Sequence, residues 1–263
     1  MTLVAFVSGR SPGLTTAVHA LASTWPAPRR AILAELDPDG GSLAARQELP
    51  ADRGLTTLAA AGRRGLAPET VLRHCRPLAG GAIALTAPLA PDRVASALGV
   101  LGTDLADVLD WIPETDVLAD CGRIDSRSPA LPVVHAARYV VLAVAPTLEG
   151  VAHAQARADI LSLPSGQLAV LTIGTSPYRP EQVGAALGLP VLGAISRDQR
   201  GADLLAAGRP NVRGDLLQSA AIVARHLTGF LSVPLPTANH PDRPDHPDSP
   251  NSHLAPGQAE SWR

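Results

Sequence analysis

The chain has 263 residues, 46% of them hydrophobic, and a formal net charge of −2. This is enough apolar sequence for a full core in one domain, and the charge balance excludes a global attraction to nucleic acid or anionic lipid. Cys75 and Cys121 lie far apart with no C-x-x-C spacing, which argues against a disulfide framework or a cysteine-based zinc site.

Short apolar runs bounded by turn residues alternate with amphipathic stretches from residue 2 to about 230. This is the βα rhythm of an α/β fold with a mostly parallel sheet and helices on both faces. Strands are expected at 2–8, 30–36, 82–86, 116–120, 139–145, 168–173 and 190–195. Their aliphatic content without strict alternation suits strands covered on both sides. Helices are expected at 14–24, 53–62, 67–75, 91–109, 147–162, 180–187, 199–207 and 213–230. Residues 1–232 read as one domain, while 233–263, rich in Pro, Asp, His and Ser, read as a disordered tail that cannot offset its ordering entropy by burial. His240, His246 and His253 are too widely spaced in that tail to define a metal site. The N-terminus has no basic n-region, and no run approaches the roughly 20 apolar residues of a membrane span. The tail also lacks a basic amphipathic helix for membrane targeting. A cytoplasmic protein is expected.

All 22 basic residues are arginine. With 25 prolines and 23 glycines this composition suggests a GC-rich bacterial source. The missing lysine matters most at residues 4–16, VAFVSGRSPGLTT, where a strand runs through a glycine-bearing loop into a helix. A P-loop reads G-x-x-x-x-G-K-[ST]: its amides cradle phosphates, its lysine neutralises the β/γ oxygens and its hydroxyl holds Mg²⁺. Gly13, Thr15 and Thr16 match, but Leu14 stands at the lysine position. The second strand ends on Glu35-Leu36-Asp37-Pro38-Asp39-Gly40, and a third, VLADCG, ends on Asp120. A loop of amides beside acids at the carboxyl edge of a parallel sheet is the arrangement a Mg²⁺–nucleotide needs.

On these residues the chain resembles the ParA/MinD family of deviant P-loop ATPases, from about residue 2 to 230. The family's K-G-G-x-G-K-T-T loop falls on Gly9, Arg10, Ser11, Pro12, Gly13, Leu14, Thr15 and Thr16. Its D-x-D-P-x-G strand end falls on Glu35 to Gly40, and its Walker B aspartate on Asp120. The resemblance implies ATP or ADP with Mg²⁺ as cofactor, the loop residues Gly9 to Thr16 and Asp198 as nucleotide contacts, and Thr15, Asp37 and Asp120 around the metal. It implies that Asp37 orients the attacking water, and it makes Arg10 the candidate replacement cation. It further implies a homodimer with nucleotide between protomers, acting as a positioning or regulatory switch with an unidentified protein partner. Both family lysines are absent: the P-loop lysine falls on Leu14, and the lysine that reaches the dimer partner's nucleotide falls on Gly9.

Losing one charge-stabilising contact in phosphoryl transfer costs about 3–4 kcal/mol, a hundred- to a thousand-fold in rate. Nucleotide binding with weak or absent hydrolysis is therefore expected, and the alternative is a pseudo-ATPase scaffold of a secretion, pilus or partition system. A ligase of the dethiobiotin-synthetase type is disfavoured because it needs the same lysine. Arg29-Arg30, Arg63-Arg64 and Arg73 to Arg76 read first as solvated helix ends, so DNA is left open but not indicated.

Overall fold

The computed structural model describes residues 2–10, 13–63, 65–161, 163, 167–174, 176–209 and 214–231. The strands are β1 (Thr2–Ser8), β2 (Arg30–Glu35), β3 (Arg76–Pro77), β4 (Ile83–Leu85), β5 (Thr115–Arg123), β6 (Tyr139–Val144), β7 (Leu168–Ile173) and β8 (Val191–Ile195). They form one sheet in the order β3-β4-β2-β5-β1-β6-β7-β8. All neighbours are parallel except β3 and β4. The helices are α1 (Leu14–Ser23), α2 (Leu43–Arg46), α3 (Leu55–Gly62), α4 (Pro68–His74), α5 (Pro91–Asp110), α6 (Leu131–Ala136), α7 (Leu148–Leu161), α8 (Pro180–Leu187), α9 (Gln199–Ala206) and α10 (Asp215–Leu231).

Every residue of β1 is buried, and the period-2 pleat divides it between two cores. Leu3, Ala5 and Val7 join the apolar faces of α3 to α8. Val4 and Phe6 join α1, α9 and α10, together with Leu43 of α2. A central strand packed on both sides explains why its text is a continuous apolar run.

All the strands and helices expected from the sequence are present, with ends within two residues of the expectation except at β5, which runs three residues past the expected end to Arg123. The additions are short. β3 is a two-residue antiparallel edge containing Pro77, a residue suited to an edge because it has no N–H to donate. α2 and α6 span four and six residues, too few to show helical periodicity. Helix α5 is interrupted at Gly102, where φ is 51° and ψ −137°. The tail expected at 233–263 lies outside the described residues. Among the described residues, no helix is long and apolar enough to cross a membrane.

β1 lies between β5 and β6: its own connection runs out to β2 on one side, and the later connection from β5 crosses β1 to β6 on the other. Such a switch point opens a crevice at the carboxyl ends of the strands. The loops after β1, β2, β5 and β8 meet there.

Candidate functional site at the carboxyl edge

The loop after β1 enters α1 through Gly13, whose φ of 102° lies in the left-handed region. A side chain there would be strained whatever the space around it. The first amides of α1 have no intrahelical acceptor and can face an anion. Ser11 and Pro12, expected to line the same loop, lie outside the described residues. Leu14 turns away from the loop: it is 4% exposed and packs in the core beneath α1 with Phe6, Val18 and Ile173. Thr15 and Thr16 are half-buried at the mouth, and the Arg46 Nη1 donates to Thr16 Oγ1 at 3.4 Å.

Asp120, near the end of β5, is fully buried. Its Oδ1 accepts the Gly122 N–H at 3.1 Å, whereas Oδ2 has no hydrogen-bond partner. Burial pushes its carboxyl up to about 7, the charges of Asp37 and Glu35 push the same way, and the nearby Thr15 hydroxyl and the Gly122 amide pull it down. An orphaned buried carboxylate oxygen beside a loop hydroxyl is an expensive arrangement that a divalent cation would relieve.

Asp37 follows β2 and leans over the backbone of Gly122, which carries φ +63° and has no room for a side chain. Its Oδ1 accepts the Asp39 N–H at 2.9 Å. Burial raises its pKa above the ordinary aspartate value. Asp39 in turn pairs with Arg123, whose Nε lies 2.9 Å from Asp39 Oδ2.

Glu35, the first acid of the second strand end, takes no part in an open site. It is 1% exposed, and its Oε1 accepts the Ser42 and Leu43 amides at 2.6 and 3.0 Å while Oε2 accepts the Ala87 amide at 2.9 Å. One carboxylate thus ties the start of α2 and the loop after β4 to β2. That tether was invisible in sequence because Ala87 is far along the chain.

The two family lysine positions have different physical explanations. A Cβ at Gly9 would lie 2.8 Å from the His153 carbonyl oxygen and 3.2 Å from Arg157 Cγ, so α7 occupies the space of a side chain. Arg10 is 60% exposed and ion-paired with Glu149 of α7. The loop therefore presents no side-chain cation inward among its described residues.

Asp198 caps α9, its Oδ1 accepting the Gly201 N–H at 2.8 Å. It also lines a cavity of about 620 Å³ with Gly13, Thr16, Arg46, Ile173 and Arg197. This lies within the ~300–1,000 Å³ typical of small-molecule sites. Arg46 and Arg197 bring cations to this cavity that the sequence did not single out, since each arrives from a distant element with no local motif. Cys75 and Cys121 are free and buried; burial pushes the Cys75 thiol up to about 12 and Cys121 well above its usual value, so neither is a thiolate nucleophile. Among the described residues, no group of three or more His, Cys, Asp or Glu side chains could hold a metal. A nucleotide-borne Mg²⁺ does not need one, because phosphate oxygens and water complete its shell.

No protein-family model matches the sequence, and no curated protein matches it. Solved structures do. A ParA family ATPase from Chlorobium tepidum superposes with a TM-score of 0.69 at 13% identity, over 86% of this chain and 98% of that one. The septum site-determining protein MinD complexed with Mg-ADP, from Pyrococcus horikoshii, gives 0.69 at 15% identity, over 88% and 97%. The MinC:MinD cell division protein complex of Aquifex aeolicus gives 0.63 at 15% identity, over 90% and 99%. By sheet order, by the loop leading into α1 and by these superpositions, the chain has the fold of the ParA/MinD-type P-loop ATPases.

Proposed function

We propose that the chain is a nucleotide-binding switch that dimerises around ATP or ADP with Mg²⁺ and hydrolyses weakly or not at all. The observation that carries this reading is the bare Oδ2 of Asp120, buried beside Thr15 at the mouth of the β1–α1 loop. Thr15 and Asp120 would hold the metal, which when bound with nucleotide supplies the positive charge that the loop's side chains lack. The MinD structure of the same fold is complexed with Mg-ADP.

The chain's own groups divide the remaining work. Gly13 lets the loop approach phosphates closely, and the α1 amides bind them. The 620 Å³ cavity with Arg46, Arg197 and Asp198 takes the nucleoside end. Asp37, whose Oδ1 accepts the Asp39 N–H and whose carboxyl packs against Gly122, would orient the attacking water. Arg10 can serve the phosphates only by leaving Glu149; that pair is largely exposed, so separating it costs at most about 1 kcal/mol. With Leu14 in the core, no lysine stabilises charge at the transferring phosphate. Turnover falls by about a hundred- to a thousand-fold relative to a lysine-bearing loop.

The burial of Leu14 and the pairing of Arg10 favour one second reading, a pseudo-ATPase scaffold that keeps the fold for protein contacts without nucleotide. The MinC:MinD complex is a protein partnership on this fold. Calorimetric titration of Mg-ATP and Mg-ADP into the wild type, Thr15→Val and Asp120→Asn separates the two. Saturable binding lost in both variants supports the switch. Absence of heat at millimolar nucleotide rejects it in favour of the scaffold.

A further inference from the structure

A second cavity, of about 650 Å³, takes Gly9 and Arg10 into its wall. Its walls are the loop after β2, the segment from Arg123 to Pro129 and the face of α7 that bears His153 and Arg157. Four arginines, Arg10, Arg123, Arg127 and Arg157, face two aspartates, Asp39 and Asp125. Arg10 and Arg123 are engaged by Glu149 and Asp39. Among the described residues, Arg127 and Arg157 have no ion-pair partner. Asp125 already spends Oδ1 on the Arg127 backbone amide at 2.8 Å. The Arg157 Nε is buried and without a hydrogen-bond acceptor.

This arrangement is costly without a ligand. A buried guanidinium N–H left unpaired loses its hydration for nothing. The absence of a side chain at Gly9 lets α7 approach β1, and the Arg157 stem packs against that gap. The guanidinium is thus built into the wall by the fold.

We infer that this cavity binds a compact oxyanion of two or more negative charges, a diphosphate or a small polycarboxylate, between Arg127 and Arg157. Planar guanidinium forks match such oxygens in paired charge-assisted hydrogen bonds, and the volume suits a small molecule. His153, half-exposed on the same wall, adds a third donor. The site adjoins the proposed nucleotide loop through Gly9 and Arg10, but its lining includes neither Thr15 nor Asp120 and has no residue in common with the Arg46–Arg197 cavity.

The test is calorimetric titration of inorganic pyrophosphate, without Mg²⁺, into the full chain, an Arg127→Gln/Arg157→Gln variant and an Arg46→Gln/Arg197→Gln variant. A saturable component that weakens about tenfold or more in the first variant and persists in the second is expected. Arg127→Gln alone, at an exposed position, keeps the test available if the double variant does not fold, and should weaken the component about threefold. No saturable binding by the wild type overturns the inference. So does a component that survives Arg127→Gln/Arg157→Gln, or one lost equally in both variants or only in Arg46→Gln/Arg197→Gln.

Discussion

Glu35 and Asp120 are in register on β2 and β5, both buried, and they are solvated by the protein in opposite ways. Glu35 receives three backbone N–H groups, while Asp120 receives one and leaves Oδ2 bare. One carboxylate is a structural tether; the other keeps an unpaired oxygen buried at the carboxyl edge of the sheet.

Asp120→Asn should therefore stabilise the free protein, by an amount that grows with pH and is full only at neutral to alkaline pH. The folded pKa of about 7 lies above the ordinary aspartate value of 3.8. Between these values the native state keeps a proton that the unfolded chain releases, so stability falls as pH rises through the window and levels off above it. Three units correspond to about 4 kcal/mol, and relieving about half of that raises Tm by about 5 °C in a domain of this size. Thermal melts of wild type and variant at pH 8 and pH 5 check this: the gap should be full at pH 8 and shrink to less than about half at pH 5. A variant less stable at both pH values would show that Asp120 is already compensated.

Glu35→Gln should do the reverse. An amide offers one acceptor oxygen and turns an NH₂ toward groups that are themselves donors, so at least one buried backbone N–H is left unpaired. The expected loss at pH 8 is about 3 kcal/mol, read as a lower urea midpoint with an unchanged slope. A variant as stable as wild type would mean that water or a side-chain shift satisfies the Ser42, Leu43 and Ala87 amides.

These two acids also mark how far the sequence could be read. The strand bearing each is a continuous apolar run ending on a carboxylate, and that local pattern sufficed to place both at the carboxyl edge. Glu35 stood where the family pattern has aspartate, and nothing local distinguished a longer acid with a ligand role from one that reaches back to amides. The answer depends on Ala87, 52 residues later. The same holds for Arg46, Arg157 and Arg197, which come to the loop from α2, α7 and the end of β8 by tertiary packing. α2, α6 and β3 escaped because four, six and two residues are too few for a period to show. Leu14 was legible as an apolar residue at a cation's position, but its direction was fixed by α1 packing on the sheet.

Leu14→Lys should fail to restore an active loop. The native side chain sits in the core at 4% exposure, and a lysine in that rotamer would bury an unpaired ammonium. Partial escape toward the loop limits the penalty to about 3 kcal/mol rather than the full desolvation cost. A lower urea midpoint with no gain in phosphate release is the expected result. A variant of wild-type stability whose Mg-ATP turnover rises a hundredfold would show that the side chain points into the loop and that hydrolysis lacks only this cation.

Gly122→Ala tests whether Asp37 is positioned by the fold rather than by a ligand. The φ of +63° disfavours any β-carbon, at about 1 kcal/mol or more, and the added methyl would overlap the Asp37 carboxyl. Displacing Asp37 also releases Asp39, whose amide it holds, and loosens the Arg123 pairing. The combined loss is expected to be about 2–3 kcal/mol, with Tm lower by about 5–10 °C. A Gly122→Ala/Asp37→Ala double variant removes the overlap and should recover the steric part of the loss, leaving the backbone component and the lost Asp39 contact. Equal losses in the single and double variants would mean that the overlap costs nothing and that Asp37 is free to move.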